Sequence, residues 1–253
     1  SNDHPREAAP MKKKPVSAAP RSFDATVVKS QVTDVALVQR RREQIVAAAV
    51  ELFSVQGFYR TTMQEIARKA GVSTGLIYQY AETKEDVLLL GLMFVMERFR
   101  RELESSRGEG TEPLSRLYAA LDTYCRVVDR HPEATVLAYR STMSLPREYR
   151  EYIKQAELAT NELIAERIRA CIEAGLFRDA KVELLTYRLE LHAHGWSLKY
   201  WRLSEFATID EYVDEGFDFF VHALATRKGK SQYARFRASR AKQLSKPVRK
   251  AAG

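Results

Sequence analysis

The chain contains 253 residues with a formal net charge of +8 at pH 7, and its 45% of hydrophobic residues can bury a substantial core in one or two domains. No apolar run reaches 18 residues and the first 20 residues lack an apolar centre, so we expect neither a membrane span nor a secretory signal, and a cytoplasmic protein. The charge is concentrated at the ends, so it does not by itself indicate a nucleic-acid partner.

The two ends of the chain are predicted to lack a fixed structure. Residues 1–34 form a polar arm, and residues 227–253 contain ten Lys or Arg and no acidic residue. Such segments bury too little apolar surface to order themselves. We therefore expect a disordered N-terminal arm and a disordered basic tail, the latter adding salt-sensitive attraction to phosphates.

Between these ends the pattern is typical of an all-α protein. Glycine and proline are scarce, and apolar residues recur at spacings of three and four. The first predicted helix covers about 35–55 and ends before Gly57. Thr62-Met-Gln-Glu65 is a capping box that begins a second helix. A tight turn at Gly71 then leads to a short third helix over about 74–80.

A second capping signal at Thr83 begins a long helix that ends near residue 105. The predicted helices beyond it cover about 113–130, 132–143, 147–174, 181–204 and 209–226. The chain therefore divides into an N-terminal three-helix domain, residues 35–82, and a larger helical domain, residues 83–226.

The three-helix domain has the pattern of a helix-turn-helix. Two short helices joined by a glycine-containing turn follow a longer support helix, and this arrangement places the last helix in the major groove of DNA. Ile66, Val72 and Ile77 are predicted to close its small core. The outer side chains of the third helix then remain free to contact DNA.

Residues 41–92 resemble the DNA-binding head of the TetR (tetracycline repressor) family of bacterial regulators. The resemblance is carried by Gly57-Phe58-Tyr59-Arg60-Thr61-Thr62, by Ile66-Ala67-Arg68-Lys69-Ala70-Gly71-Val72-Ser73, by Gly75-Leu76-Ile77-Tyr78-Gln79-Tyr80 and by Thr83-Lys84-Glu85. Where this chain has Ala81 the family usually has an aromatic residue. Tyr80 can either fill that place in the core or contact DNA.

The resemblance implies a set of DNA contacts at the third helix and at the starts of the second and fourth helices. These residues are Thr62, Ser73, Thr74, Gly75, Leu76, Tyr78, Gln79, Tyr80 and Lys84. Thr62, Lys84 and Tyr78 are expected to hold the phosphate backbone. Gln79 is the expected base reader, because its amide can bond adenine N6 and N7 together.

The larger domain is predicted to sense a ligand and to dimerise. Its last two helices are rich in aromatic residues, which in the family pack with those of a second copy. Residues 137–149 resemble the effector domain of family members that sense hydrophobic or acyl-type ligands. The candidate pocket residues are Tyr124, Tyr139, Arg140, Met143, Tyr187, His192 and Trp196. His192 and His194 lie on opposite sides of a helix, so no metal site is expected.

The sequence therefore predicts a ligand-responsive DNA-binding regulator. The expected form is a homodimeric repressor of a palindromic operator, released by a small hydrophobic effector, with an acyl-CoA as first choice and an aromatic compound as the alternative. No cofactor is expected, and the chain has no phosphate loop, nucleophile elbow or acid–base cluster of an enzyme. A helical adaptor without DNA binding, and an activator in place of a repressor, remain open.

Overall fold

A computed structural model describes residues 27–106 and 112–244. Over these residues the chain is all-helical, with one isolated bridge between Phe177 and Ala225. The helices are α1 (Val35–Gln56), α2 (Met63–Lys69), α3 (Thr74–Ile77), α4 (Lys84–Ser105), α5 (Pro113–Arg130), α6 (Pro132–Ser141), α7 (Arg147–Glu173), α8 (Val182–Leu198), α9 (Tyr200–Leu203), α10 (Ile209–Leu224) and α11 (Arg227–Leu244). The predicted fold class, a helix-turn-helix head on a larger helical body, is confirmed.

The head consists of α1, α2 and α3, and its local signals act as the sequence predicts. The hydroxyl of Thr62 accepts the backbone N–H of Glu65, and the Glu65 carboxylate accepts the Thr62 N–H, which completes the capping box. Gly71, at φ +68°, makes the turn between α2 and α3 in the left-handed conformation that glycine adopts without strain. Ile66 and Ile77 are fully buried where the two helices meet.

Helix α4 connects the head to the body because it contributes to two separate cores. Its first half, which includes Val87 and Leu88, packs with the head and with the start of α7. Its second half, which includes Phe99 and Leu103, belongs to the core of the body, formed with α5, α7, α8 and α10. One continuous helix therefore joins the core of the head to the core of the body.

The end of the chain is a helix over much of the segment expected to be disordered, and that prediction is wrong for residues 227–244. Tyr233 of α11 is buried, and Phe236 packs on the body core beside it. At Gly229 a Cβ would lie 2.0 Å from the carbonyl oxygen of Leu176, so only glycine allows this close approach. Residues 245–253 lie outside the described residues.

The arm prediction is wrong for residues 27–34. Val28 is buried, and the backbone N–H of Gln31 donates to the carbonyl of Gln79 at 2.9 Å. Residues 1–26 lie outside the described residues. Two helix ends also differ from prediction: α3 ends at Ile77, and the helix expected over 181–204 is interrupted at Lys199.

Candidate nucleic-acid interface and effector site

Helix α3 and the turn that follows it, residues 78–80, present one face to solvent, which we call the exposed face of α3. The hydroxyl of Ser73 accepts the Leu76 N–H at 3.1 Å and so begins the helix. Thr74, Gly75, Tyr78 and Gln79 are exposed, Leu76 is half-buried, and the core-facing Ile77 is buried. This face gathers most of the predicted base-contacting residues on one surface.

Tyr80 does not belong to this surface, and the prediction that it contacts DNA is wrong. Its side chain is only 2% exposed and packs in the head core next to Ala81. The Tyr80 carbonyl accepts the Nε–H of Arg42 at 3.1 Å. Tyr80 is therefore a core residue of the head, like Ala81 beside it.

Thr62 and Lys84 lie at the edge of the head, but both side chains already have partners. The Thr62 hydroxyl donates to Glu65 Oε2 at 2.9 Å. The bond from the Thr62 backbone N–H, followed by this hydroxyl bond, lowers the pKa of Glu65, which stays ionised. The Lys84 ammonium donates to the Tyr59 carbonyl at 3.2 Å and lies 4.5 Å from the centre of the Phe58 ring. The ammonium is therefore held at the end of the α1–α2 loop.

A buried polar network at the junction of head and body was not predicted from the sequence. Arg42 Nη2 donates to the Val28 carbonyl at 2.5 Å, and burial lowers the pKa of this guanidinium. Asp86 accepts the backbone N–H of Thr83 at 2.9 Å and the hydroxyl of Tyr149, on α7, at 2.5 Å. Burial followed by the bond to Asp86 raises the pKa of Tyr149, so the hydroxyl remains a donor. Asp86 is visible in the sequence as a capping residue, whereas its partner on α7 is not.

In the body, two of the predicted pocket residues are bridged by a histidine that is not among the predicted ones. His194 lies between the hydroxyls of Tyr124 and Tyr139, each at 3.1 Å from one ring nitrogen. Burial lowers the pKa of His194 to about 4, so the ring is neutral at pH 7. A neutral imidazole donates through one nitrogen and accepts through the other, which matches two hydroxyl partners.

A second polar pair, also not predicted, lies next to this group. The Asn161 amide donates to Glu190 Oε2 at 2.8 Å, and both residues are buried. Burial raises the pKa of Glu190 to about 7, and Glu157 nearby contributes. Burial, then Glu157 and Glu190, also raises the pKa of the predicted residue Tyr187. These groups, with the His194 group, lie where α5, α6, α7 and α8 converge, and we call them the polar cluster.

The other four predicted pocket residues lie elsewhere. Arg140 is exposed, and Met143 is 75% exposed. His192 stacks on Tyr212 of α10 with ring centres 4.3 Å apart, and the indole N–H of Trp196 donates to Asp129 at 2.7 Å. His192 and Trp196 face away from the polar cluster, so the structure contradicts their assignment to one pocket with Tyr124. Their spacing on α8 allowed either face, and only the packing of α10 distinguishes them.

Comparison with known proteins agrees with this geometry. Residues 45–90 match the family described as bacterial regulatory proteins of the tetR family, and residues 110–203 match the tetracyclin repressor-like C-terminal domain. The transcriptional regulator HbdR of Aromatoleum sp. (strain CIB) is 46% identical over 211 residues, which cover 83% of this chain and 92% of that protein.

Two solved structures share the fold. A tetR-family regulatory protein from Rhodococcus RHA1 has a TM-score of 0.67 and 18% identity, covering 74% of this chain and 97% of its own. AibR, solved in complex with isovaleryl coenzyme A and operator DNA, has a TM-score of 0.62 and 20% identity, covering 71% of this chain and 97% of its own.

The family match of the head and the relation to HbdR define the class of this protein, a helix-turn-helix transcriptional regulator. The chain belongs to the TetR family. Operator binding, dimerisation and small-molecule effectors are typical of that family. Over residues 27–106 and 112–244, no helix combines the length and the apolar composition that crossing a bilayer requires.

Proposed function

We propose that this protein is a homodimeric repressor that binds a palindromic operator through α2 and α3 and releases it when a hydrophobic effector binds. The exposed face of α3 carries this proposal, because Ile77 anchors the helix while the opposite side chains face solvent. A short, exposed helix of this kind fits the major groove. Binding to DNA would place the protein in the cytoplasm.

Each residue of the exposed face has a role that its chemistry supports. Gln79 reads an adenine through two hydrogen bonds, and Thr74 and Leu76 contact a thymine methyl group. Tyr78 donates its hydroxyl to a phosphate. Gly75 has no other atom near the position of a Cβ, so the backbone can approach the DNA closely there.

Ser73, Thr62 and Lys84 contact the phosphate backbone and fix the register of the head without reading bases. At Thr62 the phosphate would lie against the free amides that follow it in α2, since Glu65 already accepts the Thr62 N–H. The ionised Glu65 carboxylate repels a phosphate at this position, because both groups are negatively charged. Lys84, a cation at the edge of the head, compensates for it.

Several large hydrophobic side chains in the last part of the body are exposed, and this supports dimerisation. They are Leu184, Leu191, Trp201, Phe206 and Phe219. Large apolar side chains that a single subunit leaves exposed are typical of an interface. A two-fold copy would place two recognition helices about 34–36 Å apart, one turn of DNA.

The polar cluster is our candidate effector site, and we propose an acyl-CoA as its ligand. It lies among apolar core residues of four converging helices, which is the usual setting of a small-molecule site. The fold it shares with AibR, which was solved with isovaleryl coenzyme A, supports this class. The rings of Tyr124 and Tyr139 lie edge-on to His194 at 5.4 and 5.6 Å, which favours an aromatic compound as the second candidate.

The test is fluorescence anisotropy of the purified protein on DNA from upstream of its own gene, with light scattering for the oligomeric state. We expect a dimer that binds this DNA and that acyl-CoA esters release. A coupling of about 3 kcal/mol would lower operator affinity on the order of 100-fold. Tyr139→Phe, which removes one hydroxyl of the polar cluster, should alter release, whereas the exposed control Met143→Ala should not.

Three outcomes would contradict parts of this proposal. A stable monomer on DNA would exclude the dimer, and the absence of any DNA binding would favour a helical adaptor. Release by aromatic acids but not by acyl-CoA esters would select the second ligand class.

A further inference from the structure

A cleft of about 710 Å³ separates α1 of the head from α4 and α6. Helices α1 and α4 approach each other tightly at Gly91, where a Cβ would lie 3.3 Å from Val50 Cγ2. The cleft is lined by residues of α4 that follow this contact, starting with Phe94. Its volume is in the range of about 300–1,000 Å³ typical of small-molecule sites.

The walls of the cleft are mainly apolar. The apolar lining residues are Val46, Ala47, Val50, Val55, Phe94, Val95 and Ala134. Phe94 and Val55 are exposed, although both are large hydrophobic residues. The fold therefore leaves an apolar wall uncovered in the cleft, and the apolar part of a ligand can pack against it.

Two polar atoms in the lining lack a partner. Ser54 Oγ and His131 Nε2 are almost completely shielded from solvent, and neither forms a hydrogen bond within the described part of the chain. Burial lowers the pKa of His131, so the neutral ring can donate or accept at Nε2. Buried polar groups are ordinarily paired, so these two side chains of the cleft wall are exceptions, and a small shift of either would give a ligand a polar partner.

The charge of the cleft is negative. Glu43, Glu51 and Glu133 line it together with a single permanent cation, Arg98. Glu51 pairs with Lys69 at 2.5 Å, and Arg98 pairs with Glu102 at 3.2 Å. Within residues 27–106 and 112–244, no ion pair involves Glu43 or Glu133, and Glu43 accepts only the amide N–H of Gln39 at 3.2 Å. The rim therefore has two carboxylates to offer a cation.

We propose that this cleft binds an amphipathic cation, a molecule with an ammonium group on an apolar chain or ring. The carboxylates of Glu43 and Glu133 attract the ammonium, the aromatic ring of Phe94 in the same lining adds an attraction for a cation, and the apolar body fills the cleft. The site shares no residue with the polar cluster, and its charge disfavours an anionic acyl-CoA. A ligand there contacts α1 on one side and α6 on the other, so it bridges head and body.

The test is isothermal titration calorimetry of the full chain with three probes that share one apolar body: phenylbutylamine, phenylbutanol and phenylbutyrate. We expect the amine to bind about 10-fold more tightly than the alcohol, because its positive charge is attracted to the two glutamates at a partly desolvated site. The carboxylate should bind most weakly, because the same glutamates repel it. In Glu43→Gln/Glu133→Gln the amine should lose about 10-fold in affinity, while the alcohol changes by less than about 2-fold.

A second variant tests the location. Ala47 is exposed at the cleft, so Ala47→Phe should fill the space without disturbing the core, and should weaken all three probes. Glu183→Gln, an exposed substitution at the start of α8, is the matched control and should leave all three unchanged. Equal affinity for amine and carboxylate, unchanged amine binding in either cleft variant, or no amine binding at all would overturn the proposal.

Discussion

Removing a single hydroxyl from Tyr149 should measurably weaken the junction of head and body. The Tyr149 hydroxyl donates to Asp86 Oδ1 at 2.5 Å, while Asp86 Oδ2 accepts the backbone N–H groups of Glu82 and Thr83 at 3.0 and 2.9 Å. Asp86 is buried, which limits how far water can replace the lost donor, although Asp86 and Tyr149 both line a cleft of about 640 Å³ that is open to solvent. In Tyr149→Phe one carboxylate oxygen is left without the donor on α7.

The expected cost follows from the charge of the acceptor. Hydrogen bonds to charged groups contribute about 1.5–3 kcal/mol, roughly twice the contribution of neutral ones. For a chain of this length each kcal/mol shifts the unfolding midpoint by about 2–4 °C. Tyr149→Phe should therefore lower the free energy of unfolding by about 1.5–3 kcal/mol, as measured by urea denaturation at one fixed protein concentration.

Tyr59→Phe is the matched control at the same junction. Its hydroxyl contacts Ser144 Oγ at 2.8 Å, but the Tyr59 side chain is 79% exposed. Water can replace this bond, so the change should stay within about 0.5 kcal/mol. If Tyr149→Phe lowers the free energy of unfolding no more than Tyr59→Phe does, the hydrogen bond from α7 to Asp86 does not stabilise the junction of head and body.

Three further predictions concern the body, the end of the chain and the DNA-binding face. Glu190 has a pKa raised by burial to about 7 from its ordinary 4.5, so its stabilising contribution is complete below pH 4.5 and is lost as the pH rises to 7, a loss of about 3 kcal/mol at most. Urea titrations at several pH values should show that the free energy of unfolding of Glu190→Gln does not fall in this way as the pH rises. An identical pH dependence of stability in both proteins would contradict the raised pKa of Glu190. A chain that ends after Thr226 loses the packing of Tyr233 and should be destabilised by about 3 kcal/mol or more. A chain that ends after Leu244 should melt at the same temperature as the full chain. If both shortened chains melt at the same temperature, α11 does not stabilise the body. Gln79→Ala should relax the preference for one base pair per half-site by about 1–3 kcal/mol. Lys84→Ala should weaken binding to all DNA sequences alike and reduce the slope of log affinity against log salt concentration by about 1. If neither variant changes the relative affinities for altered operators, these roles are wrong.

Much of the head could be predicted because its signals are local. A capping box joins residues three apart, as at Thr62 and Glu65, and the left-handed turn needs only the glycine itself at Gly71. The sequence did not decide whether Tyr80 packs in the core or contacts DNA, because both roles fit the same motif. The structure shows that its side chain packs in the head core.

The polar cluster and the last helix could not be predicted in the same way, because their partners are distant in sequence. Which of His192 and His194 faces the interior depends on where α10 packs, and the spacing along α8 does not contain that information. In α11, Tyr233 and Phe236 are three residues apart and could have indicated a buried helical face. The basic composition outweighed this signal, because the acidic residues that hold α11, such as Asp218, lie on another helix.

The backbone carbonyl of Gln79 receives two hydrogen bonds from a segment outside the three helices of the head, from Ser30 Oγ at 3.0 Å and from the N–H of Gln31 at 2.9 Å. Helix α3 has only four residues, and one this short has little cooperative resistance to fraying. These bonds fix the last turn before any operator arrives, so the conformational entropy of the base-reading residue is spent during folding and not during recognition. A shortened protein that begins at α1 would keep every side chain of the recognition surface, yet it would order that turn only on contact with DNA.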